Sequence, residues 1–575
     1  MDVKTLTFES APEYKHLENA PVAFFCAEYA LDEDSSMYAG GLGVLAGDFI
    51  LESADENLPF VAVGLWYGGP RSSERTKEFS IVKKDGAPVV IEVPCGEEIV
   101  KARIWARRFG KSAYLLLLDT NILGNSAENQ IITDHLYDSN FQTHMKQELL
   151  LGIGGVRLLS KLGITPSIYH LNEGRTAFAA FELIVENIIN NGDRNVEIAL
   201  ASIKERVVAT KHTIFSVAGP SMSEKEFIAL VGPYCKKNNI SVSDIFKLGK
   251  NRNIKKIFST TQFLLNCAQK QNGVSVLHTV FEKLAHPHSI LFPITNGIYV
   301  KRWQADLWHE SLKGETRLTD EAVWKIRRDL RERLVNFVAK KTKVTLDPDA
   351  CTIVWARRFT RYKRPELLFS DLPRLKKICL NSAKVQFIIS GQAHESDVEG
   401  KKIIEKIKAI VKDPTFNNKI VYLADYSITV AIELVSGADV WLNTPERGFE
   451  ACGTSGMKSC LNGALQASTS DGWIDEVNWS DIGFILSGND TAKAVYNALE
   501  KEIIPLFYTR GLIESDDFSR SGSETLQGRT TESERPEGLP LEWIRRIRDT
   551  QNIVKSGFTA KRMLHDYLTK AYLVL

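Results

Sequence analysis

Nothing in this 575-residue chain approaches the ~20 consecutive apolar residues that span a bilayer. An excess of one charge is missing too. Lys and Arg number 72 against 71 Asp and Glu, so no long-range field steers the chain toward nucleic acid or an anionic membrane, and any anion site must be built locally. The eight cysteines (Cys26, Cys95, Cys235, Cys267, Cys351, Cys379, Cys452 and Cys460) form no CxxC pair and no His/Cys cluster. That excludes a zinc site or disulfide framework as the organising feature, and no metal is expected. They read as buried apolar thiols of a reducing compartment. The opening MDVKTLTFESAPEYKHLENAP is polar, without the apolar core of a secretory signal, so the expected compartment is the cytoplasm. Internal repeats and coiled-coil heptads are absent, and a homo-oligomer is left open.

What is present is an ordinary globular composition, 44% apolar and 25% charged, at a length that suggests about two to four domains. Short apolar runs at 22–27, 60–65, 114–118, 168–170 and 207–209, then at 352–355, 385–389, 420–423 and 440–442, are bounded by turns and separated by helical patterns. They read as buried parallel strands, giving an α/β chain with two doubly wound, Rossmann-like sheets and a site in the cleft between them. The expected division is 1–297, 298–545 and a C-terminal helix at 546–575 that packs back on the first part. Thr319 caps a clear helix, with Asp320 and Glu321 in its first turn and Val323, Ile326, Leu330, Leu334 and Phe337 on one face. Arg327, Arg328, Arg331 and Arg333 are expected on its solvated face. The Ser-, Glu-, Arg- and Gly-rich stretch 514–540 is expected to be a mobile loop.

Three motifs can carry chemistry. Tyr38-Ala39-Gly40-Gly41-Leu42-Gly43 follows a strand and enters a helix, where bare backbone and a helix N-terminus favour an anion. A tight turn explains that run equally well on its own. Trp355-Ala356-Arg357-Arg358-Phe359-Thr360-Arg361-Tyr362-Lys363-Arg364 leaves a strand. So many cations at a strand's carboxyl end demand an anion, and Arg357, Arg358 and Lys363 offer forks and a point charge for phosphate. Glu450-Ala451-Cys452-Gly453-Thr454-Ser455-Gly456-Met457-Lys458 puts small residues and free amides at a helix entry, with a lysine just inside. Such a lysine can bind an aldehyde cofactor if its site lowers its pKa. Lys211-His212-Thr213 and Asn296-Gly297 suit a sugar site, though a structural histidine and a plain turn are the commoner readings.

Together these segments resemble the α-glucan (glycogen/maltodextrin) phosphorylase family, in its shorter bacterial and archaeal branch. The resemblance runs through AEYALDEDSSMYAGGLGVLAGD, KQELLLGIGGVRLLSKLGITPSIYHLNEG, NGIYVKRW, RRFTRYKRPELL, EACGTSGMKSCLNGALQASTSDGW and FTAKRMLHDYL. It implies a two-domain GT-B glycosyltransferase fold and pyridoxal 5′-phosphate bound as a Schiff base to Lys458. Gly41, Gly453 and Thr454 would lie by the phosphates, and Trp303 and Tyr426 beside the cofactor. Arg357, Arg358 and Lys363 would hold the two phosphates together. Glu450, Cys452, Gly453, Asn296 and His212 would contact the glucosyl unit. The implied partners are α-glucan and inorganic phosphate, and the implied reaction is phosphorolysis to α-glucose 1-phosphate with retention.

The chain departs from the family pattern mainly on the sugar side. Arg175 follows HLNEG where the family has His, Lys211 replaces a Thr, IFSVAGP (214–220) replaces a Pro-containing loop, and the stretch before Asn296 is reduced to GVSVLH (273–278). Gln392 stands where the family has Lys. Two other readings therefore stay open: a cofactor-binding homologue with altered or lost activity, and a nucleotide-sugar-dependent glucan synthase of the same fold.

Overall fold

The computed structural model describes residues 1–31, 35–68, 75–213, 219–251, 254, 256–310, 318–381, 384–394, 397–511 and 538–573. Most of 514–540 and of the 214–220 loop lies outside them.

Each apolar run forms a strand. In the first half these are β1 (Val22–Phe25), β2 (Phe60–Leu65), β3 (Val90–Cys95), β4 (Glu98–Phe109), β5 (Ala113–Asp119), β6 (Ile168–Asn172), β7 (Val207–Lys211) and β8 (Lys270–Gly273). Their order is β8-β7-β6-β1-β2-β5-β4, with two-residue strands at both edges and β3 on β4. From β8 to β5 all neighbours are parallel. Every residue of β1, β2, β5, β6 and β7 is buried, which is why they appear as unbroken apolar runs. β3 and β4 pair antiparallel and have exposed residues along them. Alternating polar residues hid them from a search for continuous runs.

The second half holds β9 (Cys351–Ala356), β10 (Val385–Ser390), β11 (Ile420–Leu423), β12 (Val440–Asn443) and β13 (Leu465–Ser468). They are all parallel, in the order β11-β10-β9-β12-β13, with Phe484–Ile485 at the edge. The helices that matter below are α1 (Gly41–Asp55), α2 (Val276–Ala285), α3 (Asp320–Thr342), α4 (Thr454–Leu461), α5 (Leu541–Gly557) and α6 (Ala560–Asp566).

Thr319 caps α3 as expected, its hydroxyl accepting from the Ala322 N–H. Arg328 and Arg333 face outward, paired to Asp349 and Glu433. Arg327 and Arg331 do not: both are buried, which corrects the expectation of a solvated face. Four-residue spacing places them in line with Val323 and Val335 on the inner face. Arg331 pairs with buried Asp439 at 2.8 Å, and Arg327 donates to the Ala438 and Asn462 carbonyls. Asp439 also accepts from the Thr352 N–H at 2.9 Å, so this cluster ties α3 to the starts of β9 and β12.

A shared apolar seam joins the halves, with Ala30, Val274 and Ile298 against Trp303, Met457 and Trp473. The chain crosses it near 297 and returns near 559, and the two crossings are paired. The Ile298 N–H donates to Phe558 O at 3.0 Å, and the Ala560 N–H donates to Ile298 O at 2.7 Å. Trp543, Ile544 and Ile547 of α5 sit in the second core, whereas Ala560, Met563 and Leu564 of α6 sit in the first. No helix among the described residues is long and apolar enough to cross a membrane.

Candidate active site

In an open parallel sheet, ligands bind beyond the carboxyl ends of the strands where the winding direction reverses. In the first sheet that reversal lies between β1 and β6, and in the second between β9 and β12. The loop after β1 leads to Gly41. The loop after β6 carries Glu173 and Arg175, and His212 follows β7. Arg357, Arg358 and Lys363 follow β9, while Glu450, Cys452, Gly453, Thr454 and Lys458 follow β12.

At the second sheet's edge, the anion required by the basic run is Glu450. Arg357 NH2 lies 2.8 Å from Glu450 Oε1, and Lys363 Nζ lies 3.0 Å from Oε2. All three are buried. Burial alone would raise the Glu450 carboxyl, but Arg357 and Lys363 outweigh it and hold it at about 2. Burial, with Arg357 nearby, pushes Lys363 down to about 7, against the pull of Glu450. Arg357 also donates to Asn443 Oδ1. Gly391, at φ +138°, lies so close beneath the Arg357 carbonyl that a Cβ would collide with it, so only glycine fits there. Arg358 is exposed and makes no ion pair among the described residues. Tyr426 is half-buried, its hydroxyl pushed up by burial and lowered in part by Arg357.

Lys458 lies in the second turn of α4 and is only 7% exposed. Its ammonium sits 3.8 Å from the centre of the Trp303 ring, a cation–π contact. Burial lowers its pKa to about 8; Asp48 opposes the shift and Arg302 adds to it. Gly453, at φ +87°, is the N-cap of α4 and supplies no side-chain cap, leaving the first amides of the helix for another acceptor. Gly40 likewise leaves α1 uncapped, and a Cβ on Gly40 or Gly41 would touch nothing within 4 Å. Neither glycine is there to relieve packing, and the Gly40 N–H is already taken by Glu28 Oε2 at 3.1 Å. The described residues contain no group of His, Cys, Asp and Glu that could hold a metal.

At the first sheet's edge, the His212 N–H donates to Glu173 Oε1 at 2.6 Å, and its Nε2 lies 2.9 Å from Asn172 Oδ1. Burial, with Lys211 adjacent, lowers His212 to about 3, so its ring is neutral at physiological pH. Glu173 is held at φ +66°, ψ +165°, a region that costs a non-glycine residue on the order of 1–3 kcal/mol. Arg175 stacks 4.2 Å over the Tyr137 ring, touches His144 Nε2 and lies 3.6 Å from Glu148. Asn296 is buried, and its Oδ1 has no hydrogen-bond partner. Its backbone N–H donates to the Val274 carbonyl at 3.1 Å, and burial pushes the Cys452 thiol up. Ser275 Oγ donates to Ala451 O at 2.7 Å and Thr295 Oγ1 to Glu476 at 2.8 Å, so the two edges meet here.

Sequence reasoning passed over two carboxylates that shape this site. Asp48 on α1 accepts from Trp303 Nε1 at 2.7 Å, the Tyr299 N–H at 3.2 Å and Arg302 NH1 at 3.2 Å, fixing the ring beneath Lys458. Asp471 accepts the N–H groups of Gly448, Phe449 and Glu450 at 2.9, 3.2 and 2.9 Å, fixing the Glu450 loop. Burial raises Asp471 to about 6. The available signals were an acid within the apolar run of α1 and the Asp-Gly turn at 471–472.

A family model described as carbohydrate phosphorylase matches residues 294–482, the segment carrying Asn296, Trp303, the basic run, Glu450 and Lys458. The chain is 32% identical to a glycogen phosphorylase of Aquifex aeolicus, across 97% of this chain and 87% of that one. It is 31% identical to a maltodextrin phosphorylase of Thermococcus litoralis, across 96% of this chain and 70% of the other. A glycogen phosphorylase of Mycobacterium bovis is 30% identical across the same shares, 96% and 70%. With similarity over nearly its whole length and a family match across the second half of the site, this chain belongs to the carbohydrate phosphorylase family.

Proposed function

We propose that this protein phosphorolyses α-1,4-glucan to α-glucose 1-phosphate with retention, using pyridoxal phosphate carried on Lys458. The observation that carries the reading is Lys458 itself: a buried amine, lowered to about 8, stacked on Trp303 in a helix whose N-terminus has no side-chain cap. Those features fit the cofactor. Its aldehyde would meet Lys458 and its ring would lie among Trp303, Tyr426 and the α4 entry. Its phosphate would take the amides at Gly41, Gly453 and Thr454. When bound, the cofactor supplies a phosphate group that acts as proton partner to the substrate phosphate.

The remaining work falls to the chain. Arg357, Arg358 and Lys363 bind the substrate phosphate against the charge it develops. A phosphate beside Lys363 stabilises its ammonium and releases Glu450 from sole service as its counter-ion, leaving Glu450 to accept from sugar hydroxyls. Asp471 keeps that carboxylate aimed. The neutral His212 ring and the His212 peptide, fixed by Glu173, line the glucosyl unit with Asn296 and Cys452. The bound phosphate gives its proton to the leaving glycosidic oxygen and then attacks the anomeric carbon from the same face.

We further place the division between halves at 297/298 and the chain's return beyond α5, near 558, where the apolar contacts change core. Eight buried free cysteines support a reducing, cytoplasmic setting. The test is the absorbance spectrum of purified protein before and after borohydride, with peptide mapping of the label, beside release of glucose 1-phosphate from maltodextrin and phosphate. Label on Lys458 with release supports the proposal. Label without release points to a cofactor-binding homologue, and transfer from a nucleotide-glucose without label points to a synthase.

A further inference from the structure

Behind His212 lies a buried charge cluster that the proposed reaction does not use. Lys211, the last residue of β7, is 1% exposed, and Glu282 on α2 is fully buried. Lys211 Nζ lies 3.7 Å from Glu282 Oε2. His278 Nε2 and His286 Nε2 approach the same carboxylate at 3.7 and 3.8 Å. Lys211 Nζ, both Glu282 oxygens, Glu173 Oε2 and His278 Nε2 are buried without a hydrogen bond. Burial raises the Glu173 carboxyl, and Lys211 is the main neighbour that opposes this, with Arg175 a weaker one. Buried ions held by charge alone are costly to fold and call for a reason.

We propose that Lys211 is a positioning residue of the sugar side: shared between the buried carboxylates of Glu173 and Glu282, it keeps Glu173 in the charged form that fixes the His212 peptide. The inference rests on the reading in which His212 lines the glucosyl unit. His278 and His286 cannot substitute for the lysine, because burial lowers them to about 3 and about 4. His170, on β6 beside His212, is likewise held neutral by burial. Thr213, another neighbour of Glu173, carries no charge. Arg175 is engaged by Glu148 and His144. Without Lys211, Glu173 and Glu282 repel each other in a dry setting, and one or both take up a proton. A protonated Glu173 is a weaker acceptor for the His212 N–H and a weaker reason to hold the unfavourable φ.

The test compares Lys211→Met, Glu282→Gln and the double variant. Lys211→Met should raise the glucan KM by roughly two- to hundredfold, the range of coupling within one ion network, while cofactor absorbance and the phosphate KM stay as in the wild type. Adding Glu282→Gln removes one of the two like charges and should recover much of the loss. A double variant no better than Lys211→Met, or equal rises in the glucan and phosphate constants, overturns the proposal. A second readout needs no turnover. Burial already holds both carboxylates above their unfolded values in the wild type; with the lysine gone they rise further, so more stability is lost as pH rises through that interval. The melting temperature of Lys211→Met should therefore fall from about pH 5 to pH 8 more steeply than that of the wild type, and the double variant should be flatter. If Lys211→Met does not fold, Glu282→Gln alone should flatten the wild-type profile, because burial raises Glu282 to about 7; a parallel profile overturns the idea. A wild type that releases no glucose 1-phosphate sinks the functional reading alone, and the melting profiles still decide the role of Lys211.

Discussion

The two sheet edges that meet at the seam handle buried charge differently. At the second, Arg357, Lys363 and Glu450 neutralise one another through contacts of about 3 Å, and Lys458 rests on an aromatic face. At the first, Lys211 and Glu282 sit 3.7 Å apart with no hydrogen bond, and Glu173 is strained. By the resemblance, the departures Arg175 and Lys211 lie at the first edge, whereas at the second, Gln392 after β10 is the one departure. Both first-edge departures have local partners, Glu148 and His144 for Arg175 and Glu282 for Lys211. The new charges have been absorbed into the fold rather than left facing the cleft uncompensated.

The sharpest way to break this contrast is Lys458→Ala. Cofactor absorbance should vanish and turnover drop to background; covalent cofactor on that variant would remove the basis of the whole second-edge assignment. Next in size, Arg358→Ala should lower phosphate-dependent turnover by about 10²–10³-fold, the usual loss of one preorganised charge partner, with the glucan KM nearly unchanged. Equal losses on both substrates would mean that the second edge is not specialised for phosphate.

Glu450→Gln probes stability at the same edge. Breaking a buried ion cluster from one side costs about 3–5 kcal/mol, seen as a lower denaturation midpoint at neutral pH. Glu450 titrates near 2 in the folded chain against an ordinary 4.5, so its contribution is complete above pH 4.5 and is lost as the pH falls toward 2. The gap between wild type and variant should close over that interval; a constant gap would mean packing, not charge, was lost. The smallest effect belongs to Arg175→His, which introduces the residue that the family resemblance leads one to expect there. It should shift the glucan KM by less than about tenfold, under 1.4 kcal/mol, and leave phosphate kinetics alone. A collapse in activity would show that Arg175 is bound up with the chemistry rather than tolerated by it.

The sequence made this contrast only half visible. Fully buried parallel strands leave continuous apolar runs, so both sheets could be located, and Lys458, Glu450 and the basic run lie in compact motifs. The β3–β4 ribbon alternates polar and apolar residues and left no such run. Arg327 and Arg331 looked solvated because their partner Asp439 lies over a hundred residues away. Lys211 and Glu282 escaped for the same reason: a cation and a carboxylate 71 positions apart mean nothing until β7 and α2 are brought together.

The paired crossings at Ile298 and Phe558–Ala560 have a mechanical consequence. Both covalent links between the halves run through one hydrogen-bonded point, where Gly297 packs so tightly on Thr559 that a side chain would not fit. With both tethers gathered there, this point is the natural hinge for any rotation of one half against the other. Trp303, which Asp48 reaches from the first half, lies only five residues along the chain from Ile298. Opening the cleft to admit a glucan chain would then swing the distant loops widely while moving the lysine pocket little.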